Sequence, residues 1–279
     1  ADGDWQGTGG FNLDNNTAHS EIVIEAIGSL AVTGIGSRSV NSTDSANKFI
    51  NRGELSIEFG DALSTLSING AGFINENGGK VTVKNGKLFT STLDSLSGGA
   101  LSGGNWRVEG GGEVDLGAAT IQTLDTEVEL VGVGSSFAAL NQLATIGAAG
   151  TLAISEGRNF TTAGNLELQG TLRVGSGSAL DVSGSVSAFN AGVLTTGNIE
   201  LNGQILGDNT RADRVGGRLI VGLDGALLFR DNTTIEDGLA GLRRIDSGGT
   251  FGLVAGRELD LSVDNASFEV GGTLLLGSM

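Results

Sequence analysis

Carboxylates set close to arginines are the residues of this chain best suited to chemistry. Asp208-Asn-Thr-Arg-Ala-Asp213, with Arg211 and Arg214, is the densest such run, and Asp231-Asn-Thr-Thr-Ile-Glu-Asp237 is the second. Cleavage of an acidic polysaccharide needs clustered carboxylates, often holding calcium, and a basic residue to move a proton. Glycoside hydrolysis needs two carboxylates about 5–10 Å apart on one face. Both runs have the mixed charges of an exposed loop whose neighbours form ordinary ion pairs, and neither singles out a pair of carboxylates. His19, the only histidine, sits in the polar turn Asn15-Asn-Thr-Ala-His-Ser20 without the partners of a triad, a zinc site or an acid–base pair. The chain has no Cys, hence no thiolate nucleophile, thiolate ligand or disulfide.

The remaining candidates are binding residues. Trp5 and Trp106 are the rings best able to stack on sugars. Trp106 alternates with Val108, which assigns it to the core, and Trp5 suits a cap or a subunit contact. No Gly-rich phrase has the form of a phosphate loop. Gly110-Gly-Gly-Glu-Val-Asp115 does not fit a calcium β-roll repeat, and Asp14-Asn-Asn16 lacks the glycine and glutamate spacing of an EF-hand. No catalytic residue, cofactor or metal set is therefore assigned. Calcium is the one candidate ion, on loop oxygens around Asp14, Asp208 or Asp231.

The elements that must position these residues are marked by a recurring phrase, Gly-x-apolar-x-apolar. It occurs as Gly28-Ser-Leu-Ala-Val32, Gly53-Glu-Leu-Ser-Ile57, Gly79-Lys-Val-Thr-Val83, Gly112-Glu-Val-Asp-Leu116, Gly150-Thr-Leu-Ala-Ile154, Gly170-Thr-Leu-Arg-Val174 and Gly272-Thr-Leu-Leu-Leu276, among others. Each copy has one apolar face of period two and reads as a short strand opened by a turn glycine. Strands this short cannot bury a face alone, but stacked copies can, so the phrase predicts an all-β parallel β-solenoid. The chain contains 49 Gly and no Pro, as suits a backbone paired almost everywhere.

Two longer repeats support stacking. Phe49-Ile-Asn-Arg-Gly-Glu-Leu-Ser-Ile57 is echoed from Phe73 to Val83, an offset of about 24 residues. Residues 140–158 align without gaps to 239–257, and Gln169–Ser176 to Gly271–Ser278. Short helical excursions are expected where Phe137, Leu140, Leu143 and Ile146, and again Ile235, Leu239, Leu242 and Ile245, fall at helical spacing. The expected organisation is an N-terminal cap region at 1–48, a solenoid containing the first long module at 49–205, and a second diverged module with the C-terminal coils at 206–279.

Net charge is −16, from 32 acidic and 16 basic residues, which argues against nucleic acid or an anionic membrane surface as partner. No apolar run reaches the roughly 18 residues of a membrane helix. The start Ala1-Asp-Gly-Asp-Trp5 suits a mature terminus left by signal cleavage. Seven of the twelve Arg lie between Arg211 and Arg257, a patch able to meet an acidic surface of a neighbouring copy. The last phrase, Gly272–Leu276, is apolar on both faces and needs a cover.

Leu96-Ser-Gly-Gly-Ala-Leu-Ser-Gly-Gly-Asn-Trp-Arg-Val108 resembles the opening of β-strand repeats in large bacterial secreted and surface proteins, the autotransporter-like and filamentous-haemagglutinin-like adhesins. Gly157-Arg-Asn-Phe-Thr-Thr-Ala-Gly164 and Gly170–Ser178 resemble their continuation. The resemblance covers about residues 93–182 well and 215–279 weakly. It implies a parallel β-solenoid, export, and a structural or adhesive role without catalytic residues. The function expected is a non-enzymatic structural protein, extracellular or on the bacterial surface, that associates head to tail with copies of itself into a filament, sheath or surface layer. The alternative is a monomeric adhesin or a module binding surface or matrix polysaccharide. A polysaccharide lyase or hydrolase is the third class.

Overall fold

The computed structural model of the chain describes residues 20–231, 234–259 and 267–277, and the backbone alone of 3–5 and 9–12. The fold is a parallel β-solenoid, in which successive coils of backbone pair in register. The chain divides into two compact units, Ala1–Asn141 and Gln142–Met279. Among the described residues no helix is long and apolar enough to cross a membrane.

In the first unit one ladder runs through the strands Gly3–Trp5, Ser29–Gly34, Glu54–Phe59, Lys80–Thr90, Asn105–Asp115 and Glu127–Val131, all parallel. A second column, Glu21–Ile24, Lys48–Asn51 and Gly72–Asn75, holds the predicted offset, since Phe49 lies opposite Phe73 and Asn51 opposite Asn75. The coil of residues 21–41 already follows these columns. Alternate residues point inward: Leu55, Ile57, Val81, Val83, Val108, Val128 and Leu130 are all buried. Burying one such side chain stabilises the fold by about 1.5–3 kcal/mol, so the coils are held by their common core. Phe49, Phe73, Trp106 and Phe137 form an internal stack with centroids 5.6, 5.9 and 5.8 Å apart. Asn51 Nδ2 donates to Asn75 Oδ1 at 2.8 Å, and Asn75 Nδ2 to the Asn105 carbonyl at 3.2 Å, so the NH₂ groups of both buried amides find acceptors.

In the second unit the main ladder is Thr151–Ser155, Thr171–Val174, Asn198–Leu201, Arg218–Val221, Thr250–Val254 and Thr273–Gly277. Beside it run Asn159–Thr162, Ala179–Val182, Gln204–Gly207 and Ala226–Asp231. Coil length varies, from 20 residues between Thr151 and Thr171 to 32 between Arg218 and Thr250.

The long repeat is structural. Ser155–Arg158 and Val254–Arg257 make the same tight turn, with φ of 55° and 80° at Glu156 and Gly157, and of 55° and 79° at Ala255 and Gly256. Gly170 and Gly272 open equivalent strands under equivalent turns. A Cβ on Gly170 would stand 2.2 Å from the Gly147 oxygen and 2.3 Å from that of Gly150. On Gly272 it would stand 2.3 Å from the oxygens of both Asp246 and Gly249. The phrase glycine at these two positions is thus required by close approach to the coil beneath rather than by positive φ.

One helical excursion forms, a 3₁₀ turn over Ala138–Gln142. The second does not. Thr234–Asp237 is a strand antiparallel to Ala226–Asp231, with Ile235 exposed, while Leu239 and Leu242 are buried in the turns that follow and Ile245 in the strand Arg244–Ile245. Two β-branched residues begin this segment and Gly238 and Gly241 interrupt it, so an available ladder edge outcompetes the helix.

Candidate functional site

Of the carboxylates singled out in the sequence, Asp208 and Asp213 are each held by an arginine, whereas Asp237 accepts from the Leu239 backbone N–H at 2.8 Å. Asp208 Oδ1 accepts from Arg230 Nη1 at 3.2 Å, and the same guanidinium reaches Asp181 two coils away. Burial lowers the Arg230 pKa, but hydrogen bonds to Asp181 and Asp208 outweigh it and raise the group above its usual range. Asp213 is held by Arg211 at 2.7 Å. Arg214 grips both oxygens of Asp246 at 2.9 Å, and Arg244 joins Asp246 at 2.9 Å and Glu269 at 3.3 Å. The arginine-rich stretch therefore spends much of its charge inside its own unit. Its open cleft of about 480 Å³, lined by Asp213, Arg214, Arg243, Arg244, Ser267 and Glu269, is a surface of paired charges.

Glu200 lies between Arg173 at 3.1 Å and Arg218 at 2.5 Å. Burial would raise its pKa, yet the two guanidiniums, Arg218 foremost, hold it below the usual carboxylate range. These contacts tie successive coils together along the outer face. They are structural clamps rather than a poised acid and base, because each carboxylate already faces a permanent cation.

Among the described residues no group of three or more His, Cys, Asp or Glu side chains converges as a metal site would require. Asp14 and His19 lie outside the described residues. Asp231 closes the strand Ala226–Asp231, and its carbonyl accepts from the Thr234 hydroxyl at 3.1 Å. Trp106 is 1% exposed and belongs to the core, so it offers no face to a sugar. Trp5 lies on the first strand of its ladder.

The surface that stands out is the end of the second unit's main ladder. Thr273–Gly277 pairs with Thr250–Val254 along one edge, and its other edge carries no strand among the described residues. Its inward column runs Leu152, Leu172, Ile199, Leu219, Phe251, Leu274. The first five are at most 1% exposed, but Leu274 is 36% exposed. Leu275, Leu276 and Val270 are exposed beside it, Leu276 at 70%. Every interior coil is sealed by the next one, and among the described residues no strand lies over this one. The neighbouring column ends differently: Ala226–Asp231 is covered by the antiparallel strand Thr234–Asp237, which carries Glu236 and Asp237 and is exposed throughout. Charge on an outer strand discourages further pairing.

Sequence reasoning anticipated the uncovered last phrase but missed two hairpins. Leu96–Ser97 pairs antiparallel with Ala100–Leu101 across Gly98 and Gly99, whose φ values are 57° and 81°. Phe189–Asn190 pairs likewise with Val193–Leu194 across Ala191 and Gly192, at 47° and 79°. The Gly-Gly and Ala-Gly pairs between short apolar steps are the signal of a two-residue turn.

Comparison of the chain with protein-family models, with curated proteins and with solved structures finds no match in any of the three.

Proposed function

We propose that this chain is a non-enzymatic, extracellular structural β-solenoid of a bacterium that associates end to end with copies of itself into a filament, sheath or surface layer. The observation that carries the reading is Leu274, the uncovered last member of a column buried everywhere below it. A strand added in parallel along Thr273–Gly277 supplies the missing hydrogen bonds and covers the leucines at once. A second copy has a suitable edge, because the first ladder begins on Gly3–Trp5, paired on one side only among the described residues and running parallel to its neighbour. Addition of the last strand of one copy to the first of the next is head-to-tail, and such contacts give open polymers when the rotation does not close. A net charge of −16 opposes sideways clumping and leaves the apolar edge as the preferred contact. Export and a surface location rest on the resemblance to adhesin repeats.

The test is sedimentation and electron microscopy of the purified chain over a concentration series, beside the double variant Leu274→Lys, Leu276→Lys. Polymers are expected from the native sequence and monomers from the variant, with unchanged circular dichroism. A native chain that stays monomeric at every concentration, and binds glycans along a flank such as the cleft of Lys80, Asn105, Arg107, Glu127 and Glu129, overturns the reading in favour of a monomeric adhesive module.

A further inference from the structure

The chain holds four Asn-Gly pairs, beginning at Asn69, Asn77, Asn85 and Asn202. Each has the elements of one spontaneous reaction. The glycine amide nitrogen attacks the asparagine side-chain carbonyl carbon, the carbon–nitrogen bond to the side-chain NH₂ breaks, and ammonia leaves with formation of a succinimide ring. Water then opens the ring at either carbonyl and leaves aspartate or isoaspartate. Nothing is oxidised or reduced, and water is the only co-reactant. The reaction needs a side chain free to swing over the next nitrogen, an N–H not engaged elsewhere, and a backbone able to adjust.

Three of the pairs are locked. Asn69 Nδ2 donates to Asn41 Oδ1 at 3.0 Å, and the Asn69 carbonyl accepts from Ser42 N at 2.8 Å. Gly70 packs so tightly that a Cβ would lie 1.9 Å from the Ser42 oxygen. Asn85 lies inside the long strand Lys80–Thr90, with its Nδ2 donating to the Phe59 carbonyl at 2.9 Å and its Oδ1 accepting from Gly86 N at 3.2 Å. Gly203 N donates to the Val174 carbonyl at 3.0 Å, beneath the carbonyls of Gly175 and Ser178.

Each of these three fails at least one requirement, whereas Asn77–Gly78 meets all of them among the described residues. The two residues are the exposed centre of the turn Glu76–Gly79, closed by Gly79 N donating to the Glu76 carbonyl at 2.8 Å. Gly78 has φ of 92°, the third residue of a type II turn, and no atom lies within 4 Å of where a Cβ would stand. Neither the Gly78 N–H nor the Asn77 amide has a partner among the described residues.

We infer that Asn77 is a self-modification site, the one Asn-Gly pair at which the folded chain deamidates readily. The product puts a new carboxylate beside Glu76, which holds Arg52 at 2.9 Å. The isoaspartate form also lengthens the turn beside which Gly103 of the next coil packs.

The full chain, folded and in denaturant, is incubated at mildly alkaline pH and digested. The mass gain of NH₂ to OH and the isoaspartate linkage are then read at each asparagine by fragmentation. In the folded chain Asn77 is expected to convert at least about tenfold faster than Asn69, Asn85 and Asn202, which react only through local opening. In denaturant the four rates converge. Asn77→Gln removes the fast signal and leaves the slow ones. A folded chain in which Asn77 is as slow as the others, or in which another pair leads, overturns the assignment.

Discussion

Two columns of the second unit end in opposite ways. The column containing Ala226–Asp231 stops under a strand that reverses direction and bears Glu236 and Asp237. The main ladder stops on Thr273–Gly277 with three adjacent leucines exposed. Both are built from the same short alternating strands, so strand propensity does not separate them. The difference is the direction and charge of the last strand. A reversed, acidic strand ends the stack, whereas a parallel, apolar one presents the next coil with the surface that every coil below presented to its successor.

The largest effect expected from testing this contrast lies within the open column. Phe251→Ala, one coil below the end, should lower unfolding free energy by about 3–5 kcal/mol. Leu274→Ala should cost the monomer well under half of that, because the side chain is already partly in water. Denaturant titration of dilute protein measures both. Equal losses would mean that Leu274 is covered in solution by something within the monomer. In the polymer proposed above, the Leu274→Ala cost should rise toward the interior value, which ties the stability measurement to the association measurement.

A smaller effect is expected at the closed end. Glu236→Val removes one charge from the covering strand and favours pairing along it, so light scattering at raised salt should show added association. No change would place the protection in the reversed strand direction rather than in charge.

The smallest effect is electrostatic. Glu200 has a lowered pKa in the fold, so its contribution is present above the unfolded value of about 4.3 and is lost as pH falls through the folded value. Denaturant midpoints measured from about pH 6 to about pH 3 should fall less steeply in Arg218→Gln than in the native chain. Parallel slopes would remove Glu200 from the acid response. The pair is partly exposed, so the effect is modest beside the loss of a core ring.

Much of the stacking was legible because it rests on local spacing. The echo of Phe49 in Phe73 became a register, with the Asn51–Asn75 amide pair one step along. The alternation of Trp106 and Val108 put both in the core. The alignment of 140–158 with 239–257 became one turn repeated with the same dihedral angles. The candidate carboxylates were less legible. Asp208 finds its cation in Arg230, and Arg214 finds its anion in Asp246, each on a neighbouring coil. The segment at Ile235 has helical spacing and forms a strand because a vacant edge lay next to it.

Residue order alone determined that alternate side chains would be buried, that short strands would have to stack, and that the last of them would be greasy on both faces. These follow from the period of two and from the length of each apolar step. Tertiary structure decided which charges meet, which edge is closed and which asparagine is free. Coils of 20 to 32 residues carry turns of different lengths, so the neighbour a side chain meets on the next coil is set by how each turn closes.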